Sequence, residues 1–167
     1  CIKQGIETNN NYETNIPGVY AIGDVNGKQM LAHAASFQGM RVVNKILNKE
    51  DKIRFDIMPA AVFTYPEAGS VGMSEDACKK DGIKCIVKKG FYRANGKALA
   101  MEETEGMLKV IANEEGKIIG CHVFGAHSAD IIQEVAVLMN NDATLDDLRD
   151  IIHIHPTIGE ILLDTII

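Results

Sequence analysis

The spacing of apolar residues divides the chain into a short first block and a longer second block. In the first block, residues 19–22 predict a short apolar strand, and residues 30–48 predict a helix. The apolar stripe of this helix is made of Leu31, Ala35, Val42 and Ile46. The charged segment 50–54 then separates two predicted domains, residues 1–54 and residues 55–167.

The second block begins with strands. A buried strand is predicted at residues 58–64, a second strand at 83–92, and a hairpin at 107–112 and 117–124. Residues 65–69 predict a turn, and residues 96–101 predict a loop or a short strand.

Helices follow these strands along the chain. They are predicted at residues 75–80 after an N-cap at Ser74, at 129–139 after an N-cap at Ser128, and at 145–150 after an N-cap at Thr144. Within the middle helix, Ile131, Ile132 and Val135 suit either the core or a partner subunit. Strands followed by helices indicate an α+β fold, with an antiparallel sheet and flanking helices.

Composition narrows the classes of function. The 167 residues carry a formal net charge of −6 and include no basic run longer than Lys88-Lys89, so we expect no nucleic-acid partner. Stretches of membrane-spanning length are also absent from the sequence, and we expect no membrane partner. Because the chain opens at Cys1 without a methionine and closes abruptly at Ile167, we interpret it as a fragment.

The cysteines bear on the redox compartment. They are Cys1, Cys78, Cys85 and Cys121, and none forms a C-x-x-C pair. This spacing favours free thiols in a reducing compartment over disulfides. We therefore expect a cytoplasmic protein.

The strongest chemical signal lies in residues 152–160, IHIHPTIGE. Pro156 disfavours helix at His155, so this imidazole should lie on a loop. Glu160 follows five positions later, in the first turn of a short helix that Thr157 can cap. A carboxylate bonded to one ring nitrogen stabilises the imidazolium and makes the other nitrogen a general base.

Two other interpretations of this segment stay open. In a capping box, Glu160 only reaches back to the backbone N–H of Thr157. His153 and His155 would also point the same way on a strand and could bind a metal, although no cysteine lies near them. We predict no metal site.

The first block carries a second candidate site. Asp24, after Gly23, would place a carboxylate at the end of the predicted strand, and the helix start near Met30 would offer unpaired N–H groups. A plain strand-ending turn also explains Gly23 and Asp24. His33 taken alone is typical of a packed residue at a helix start.

Three stretches, in order, resemble the pyridine-nucleotide disulfide oxidoreductases. Residues 14–24 (TNIPGVYAIGD) are similar to their second flavin-binding signature, and residues 63–72 (FTYPEAGSVG) to the start of their dimerisation domain. Residues 154–160 (IHPTIGE) resemble their catalytic dyad. Within the family, residues 30–34 and the doubled histidine look most like those of the dihydrolipoyl dehydrogenases.

This resemblance implies an architecture and two cofactors, FAD and NAD. Residues 1–54 would be the C-terminal remnant of a Rossmann-like FAD-binding domain, and residues 55–167 the interface domain of a homodimer. The residues implied near the flavin are Gly23, Asp24, Met30, Leu31, Ala32 and His33. Gln38 departs from the family, which usually carries an acidic residue before the following glycine.

The resemblance also implies a reaction. His155, oriented by Glu160, would take a proton from a dihydrolipoyl thiol in the partner subunit's active site. The substrate would be a lipoyl-bearing protein or dihydrolipoamide, and electrons would pass through FAD to NAD⁺. No C-x-x-x-x-C and no G-x-G-x-x-G occurs here, so the fragment alone is expected to be inactive and to bind neither cofactor.

Two rival functions remain at this point. One is another disulfide reductase, similar to glutathione reductase. The other is a dimerisation module without a reaction of its own.

Overall fold

The computed structural model describes residues 5–167. The chain divides into two compact units, Cys1–Phe55 and Asp56–Ile167. The boundary that the sequence predicts, between residues 54 and 55, lies one residue before this division. Within the described residues, no helix is both long enough and apolar enough to cross a membrane.

The first unit contains a 3₁₀ turn, Gly23–Asn26, and one long helix, α1, Ala32–Ile46. The strand predicted at residues 19–22 is wrong, because only an isolated antiparallel bridge forms there, between Glu13 and Tyr20. The partner segment turns sharply, since the Asn9 side chain accepts hydrogen bonds from nearby backbone N–H groups. The bridge at Tyr20 therefore has no extended partner segment along which a ladder of strand hydrogen bonds could continue.

The buried face of α1 differs from the predicted stripe. Its buried residues are Ala34, Gln38 and Val42, whereas Ile46 is exposed. Periodicity assigns only apolar residues to the inner face, but here a polar side chain occupies its centre. The reason lies in the hydrogen bonds of Gln38.

Gln38 joins α1 to the 3₁₀ turn. Its Oε1 accepts hydrogen bonds from the Gly23 N–H and from the Asn26 Nδ2, both at 2.8 Å. The Asn26 Nδ2 also donates to the Ala21 carbonyl at 3.1 Å. The Gln38 Nε2 is buried without a partner among the described residues.

The second unit is built on a five-stranded antiparallel sheet in the order β1-β2-β5-β4-β3. The strands are β1 (Ala60–Val62), β2 (Ala68–Gly72), β3 (Cys85–Phe91), β4 (Met107–Asn113) and β5 (Ile118–Phe124). This confirms the α+β fold, the second predicted strand and the predicted hairpin.

Two predictions at the edge of the sheet are wrong. The first strand of this unit is short and its Val62 is exposed, because β1 is an edge strand and not a buried one. Residues 65–69 do not form only a turn, since β2 begins at Ala68 and pairs with Phe124 of β5. The Tyr65–Pro66 and His155–Pro156 peptide bonds are both cis.

Helices complete the second unit. They are α2 (Glu75–Asp81), α3 (Gly96–Ala100), α4 (Ser128–Asn140), α5 (Leu145–Arg149) and α6 (Ile161–Ile166). The predicted caps are confirmed for α2, where Ser74 Oγ accepts the Ala77 N–H at 3.0 Å, and for α5, where Thr144 forms a capping box with Asp147.

Two helix starts differ from the predictions. Residues 96–101 form α3 and not a loop or strand, because Asn95 Oδ1 accepts the Ala98 N–H at 2.9 Å. Ser128 does not cap α4. The N-cap is His127, in the left-handed region at φ 59°, and the Ser128 hydroxyl instead donates to the Gly125 carbonyl at 2.7 Å.

The core of the second unit lies between the sheet and two helices. α4 packs against β2 and β5, and α6 packs against β3 and β4. Ile131, Ile132 and Val135 are buried in this core, which assigns them to their own subunit. A Cβ at Gly69 would lie 2.7 Å from Ile132 Cγ1, so β2 needs glycine there for close packing of α4.

We expect Gln38→Ala to lower the free energy of unfolding of the first unit by about 1–3 kcal/mol, because the Gly23 N–H loses its acceptor and Asn26 Nδ2 loses one of its two acceptors. Urea unfolding followed by the amide NMR signals of α1 measures this. Ser36→Ala, on the same helix, is the control, since that exposed hydroxyl donates to the Ala32 carbonyl of its own helix. Coinciding unfolding curves for the two variants would contradict the expectation.

Candidate functional site

The structure brings His155 and Glu160 together. His155 Nδ1 lies 2.9 Å from Glu160 Oε1. The imidazole is 79% exposed, whereas the Glu160 side chain is 22% exposed. With Nδ1 bound to the carboxylate, Nε2 is the ring atom that can exchange a proton with a ligand.

The second oxygen of the same carboxylate holds the loop. Glu160 Oε2 accepts the backbone N–H of Thr157 at 2.8 Å. These bonds lower the pKa of Glu160, the Thr157 N–H most and the His155 ring next, so the carboxylate is ionised at neutral pH. The cap interaction and the imidazole pair, which the sequence left as alternatives, therefore occur together on one side chain.

Further bonds fix the backbone on either side of His155. Thr157 Oγ1 donates to the Ile154 carbonyl at 2.7 Å. Asn95 Nδ2 donates to the Thr157 carbonyl at 3.1 Å, which ties the loop to the start of α3. Ile158, just beyond, is buried in the core. The exposed ring thus sits on an anchored loop.

His153 has a different environment from His155. Its side chain is 6% exposed, and its Nε2 lies 3.0 Å from Glu134 Oε1 on α4. Residues 151–157 are not a strand, and the two rings bind different carboxylates, Glu134 for His153 and Glu160 for His155, contrary to the metal interpretation. Between residues 5 and 167, no group of three or more His, Cys, Asp or Glu side chains is placed to hold a metal ion.

A groove of about 290 Å³ opens beside this loop. Pro156 and Gly159 form one wall, and Glu134 and Ile131 of α4 form another. Lys97 of α3 also reaches it. The groove therefore combines apolar surface with charges of both signs.

Two thiols of the second unit, those of Cys78 and Cys121, are not activated nucleophiles. Cys78, Cys85 and Cys121 carry free thiols, as predicted, and Cys1 lies outside the described residues. Burial raises the pKa of Cys121 to about 12 and also raises the pKa of Cys78. Reactive thiolates need the opposite shift.

The predicted flavin-site residues lie around the 3₁₀ turn and the start of α1. Gly23 and Asp24 begin the 3₁₀ turn and do not end a strand, which corrects the prediction. Gly23 has φ 71°, and a Cβ there would lie 3.2 Å from the Ala35 Cβ, so glycine allows the turn to pack against α1. Asp24 is exposed.

The start of α1 lies two residues later than predicted. Met30 and Leu31 precede the helix, which begins at Ala32 and continues with His33. No side chain caps the helix at Leu31, so the first turn suits a polar or anionic group. Backbone groups here and the carboxylate of Asp24 fit the polar parts of a flavin nucleotide.

Three residues organise these sites in ways that were not predicted. Gln38 accepts hydrogen bonds from the 3₁₀ turn, Asn95 donates to the Thr157 carbonyl, and Glu134 binds the His153 ring. An asparagine before a short helix is an N-cap signal that identifies Asn95. Glu134 has no such signal, because it lies nineteen positions from its partner.

Comparisons with known proteins agree with this architecture. Residues 58–166 match the family model described as "Pyridine nucleotide-disulphide oxidoreductase, dimerisation domain". Residues 2–39 match the model described as "Pyridine nucleotide-disulphide oxidoreductase". The two matches occur in the order that the sequence motifs predict.

Individual relatives cover nearly all of the chain. A dihydrolipoyl dehydrogenase of Chlamydia muridarum is 39% identical over 96% of this chain and 35% of its own length. A mitochondrial dihydrolipoyl dehydrogenase 2 of Arabidopsis thaliana is 39% identical over 95% of this chain and 33% of its own length. The chain therefore spans about a third of the curated relatives that it matches.

Solved structures share the fold. The HOCl-induced flavoprotein disulfide reductase RclA from Escherichia coli superposes with a TM-score of 0.87 and 26% identity, over 99% of this chain and 39% of that chain. The dimerisation-domain model alone spans most of the second unit. The resemblance seen in the sequence is confirmed, and the chain belongs to the pyridine nucleotide-disulphide oxidoreductase family.

Proposed function

We propose that this chain is the C-terminal part of a dihydrolipoyl dehydrogenase, which oxidises dihydrolipoyl groups with NAD⁺. Residues 1–54 would end the FAD-binding domain, and residues 55–167 would form the interface domain. The exposed ring of His155, bound through Nδ1 to an ionised carboxylate, carries this proposal. The names of the relatives support the choice of substrate.

In this proposal His155 is the general base. Glu160 accepts the Nδ1–H, so Nε2 has a free lone pair that can take the proton of a substrate thiol. The carboxylate then stabilises the imidazolium that forms. Deprotonation produces a thiolate, which is the nucleophilic form of a dithiol substrate.

The remaining chemistry belongs to groups that the chain does not supply. Gly23, Asp24 and residues 30–33 would hold part of FAD, and the bound flavin would supply the electron transfer to NAD⁺. This chain contributes backbone N–H groups and the Asp24 carboxylate to such a site. The cytoplasmic location stays a prediction, because the relatives include a mitochondrial enzyme.

We infer that His155 acts in the active site of a second copy. The ring points into solvent beside several exposed apolar residues, with Ile152 96% exposed. Ile154, Phe63 and Tyr65 are exposed in the same unit. Apolar surface of this kind is typical of a protein interface, and the family match is to a dimerisation domain. A homodimer would cover these residues.

A second candidate is the reduction of a low-molecular-weight disulfide. The likeness to RclA, which is named a flavoprotein disulfide reductase, supports disulfide reduction in general. Assays of the longer enzyme with dihydrolipoamide and NAD⁺ test the first candidate. Activity only with NADPH and a glutathione-type disulfide would support the second.

We expect His155→Gln in the longer enzyme to lower dihydrolipoamide oxidation by roughly 10²–10⁴-fold, because the general base is lost. The visible absorption of bound flavin should stay unchanged, since His155 lies outside the flavin-site residues. His122→Gln is the control, because this ring lies on β5 and bonds the Met73 carbonyl, away from the His155 loop in the sequence. Wild-type turnover by His155→Gln would rule out the base assignment.

We expect the carboxyl of Glu160 to titrate below the ordinary glutamate range in carbon-detected NMR of this chain. In His155→Gln the pKa should rise only in part, because the Thr157 N–H lowers it more than the ring does. Above the pKa of an unfolded glutamate this carboxylate stabilises the fold fully, and the contribution disappears as pH falls through the lowered folded-state pKa. A normal pKa for Glu160 would show that neither bond persists in solution.

We expect Ile152→Asp to weaken dimerisation of the longer enzyme by roughly tenfold or more, because it places a charge in an apolar interface. Sedimentation velocity over a concentration series measures the dissociation constant. Ile83→Asp, at an exposed position after α2, is the control. Equal dissociation constants for both variants and the wild type would remove Ile152 from the interface.

A further inference from the structure

His153, two residues before the exposed ring of His155, is enclosed on both of its nitrogens. Its Nε2 lies 3.0 Å from Glu134 Oε1, and its Nδ1 lies 3.1 Å from the Ile151 carbonyl oxygen. The carbonyl can only accept a hydrogen bond, so Nδ1 carries a proton. A hydrogen bond then joins the other ring nitrogen, Nε2, to the Glu134 carboxyl. The ring is thereby held in a fixed orientation.

Glu134 comes from a rigid element. It lies in α4, whose neighbouring residues Val135 and Ile131 are buried in the core. Its other oxygen also reaches the far side of the loop, because a Cβ at Gly159 would lie 3.7 Å from Glu134 Oε2. One side chain of the helix therefore lies against residues on both sides of His155.

We propose that Glu134 and His153 form a positioning pair that anchors the His155 loop to α4. The loop then has two independent anchors. Glu134 holds it before His155, and Asn95 holds it after, through the Thr157 carbonyl. The pair affects catalysis only if the proposed function holds, whereas its effect on the loop does not depend on that function.

Electrostatics supports the same arrangement. Thr157 and His155 are the main causes of the lowered pKa of Glu160, and the charge of His153 lowers it further. Burial chiefly raises the pKa of Asp164 on α6, and His153 opposes that shift. His153 thus lies within electrostatic range of the carboxylate that orients the exposed ring.

The test compares two substitutions of one residue. Glu134→Ala removes the acceptor, so we expect the Thr157 amide to exchange with solvent roughly tenfold faster in this chain. In the longer enzyme the same variant should lose roughly 10–100-fold in kcat with KM nearly unchanged, because the base is misplaced while substrate binding is kept. Glu134→Gln should restore most of the slow Thr157 exchange and most of kcat, since an amide can accept a hydrogen bond from the ring or donate one to it.

Asp130→Ala is the control on the same helix, because this exposed carboxylate pairs with His127, at 3.4 Å, and not with His153. A side chain with only a structural role would lower the unfolding midpoint without changing the Thr157 exchange rate below the transition. Unchanged exchange in Glu134→Ala, or equal losses in Glu134→Ala and Glu134→Gln, would overturn the positioning pair. Failure of the proposed function is a different result, namely full activity in His155→Gln.

Discussion

The site depends on one carboxylate that makes two hydrogen bonds. Glu160 Oε1 bonds the His155 ring and Glu160 Oε2 bonds the Thr157 backbone. The same group therefore sets the orientation of the ring and the path of the chain that carries it. Since a capping bond and an imidazole bond use different oxygens, neither function weakens the other. An exposed ring can be held accurately in this way without being buried.

The sheet gives this loop a fixed frame. α4 lies on β2 and β5, and α6 lies on β3 and β4, so the segment between these helices is bounded by two packed elements. The loop's polar contacts reach α4 through Glu134 and the start of α3 through Asn95. Loops with catalytic side chains are commonly supported by a rigid scaffold in this manner. The flexibility expected of a surface loop is thereby reduced.

Periodic and capped elements could be predicted from the sequence, and so could the pairing of His155 with Glu160. The β4–β5 hairpin and the caps of α2 and α5 have local signals, since each depends on residues close in sequence. The strand expected at residues 19–22 failed because pairing needs a partner segment that no local pattern reveals. The burial of Gln38 could not be predicted for the same reason. The side-chain oxygen of Gln38 accepts hydrogen bonds from a turn that is distant in the sequence. A hydrophobicity pattern does not reveal a buried acceptor of this kind.

The two carboxylate oxygens of Glu160 bind different partners. This affects the outcome of replacing Glu160 by glutamine, which has the same shape. A glutamine at this position has one oxygen, which the Thr157 N–H requires, and one amide nitrogen, which can only donate. That nitrogen would face His155 Nδ1 and favour the ring form that carries its proton on Nε2. The atom that the proposed reaction requires as a proton acceptor would then carry a proton. In the proposed reaction the reversed tautomer alone is sufficient to remove the base, besides the loss of one negative charge.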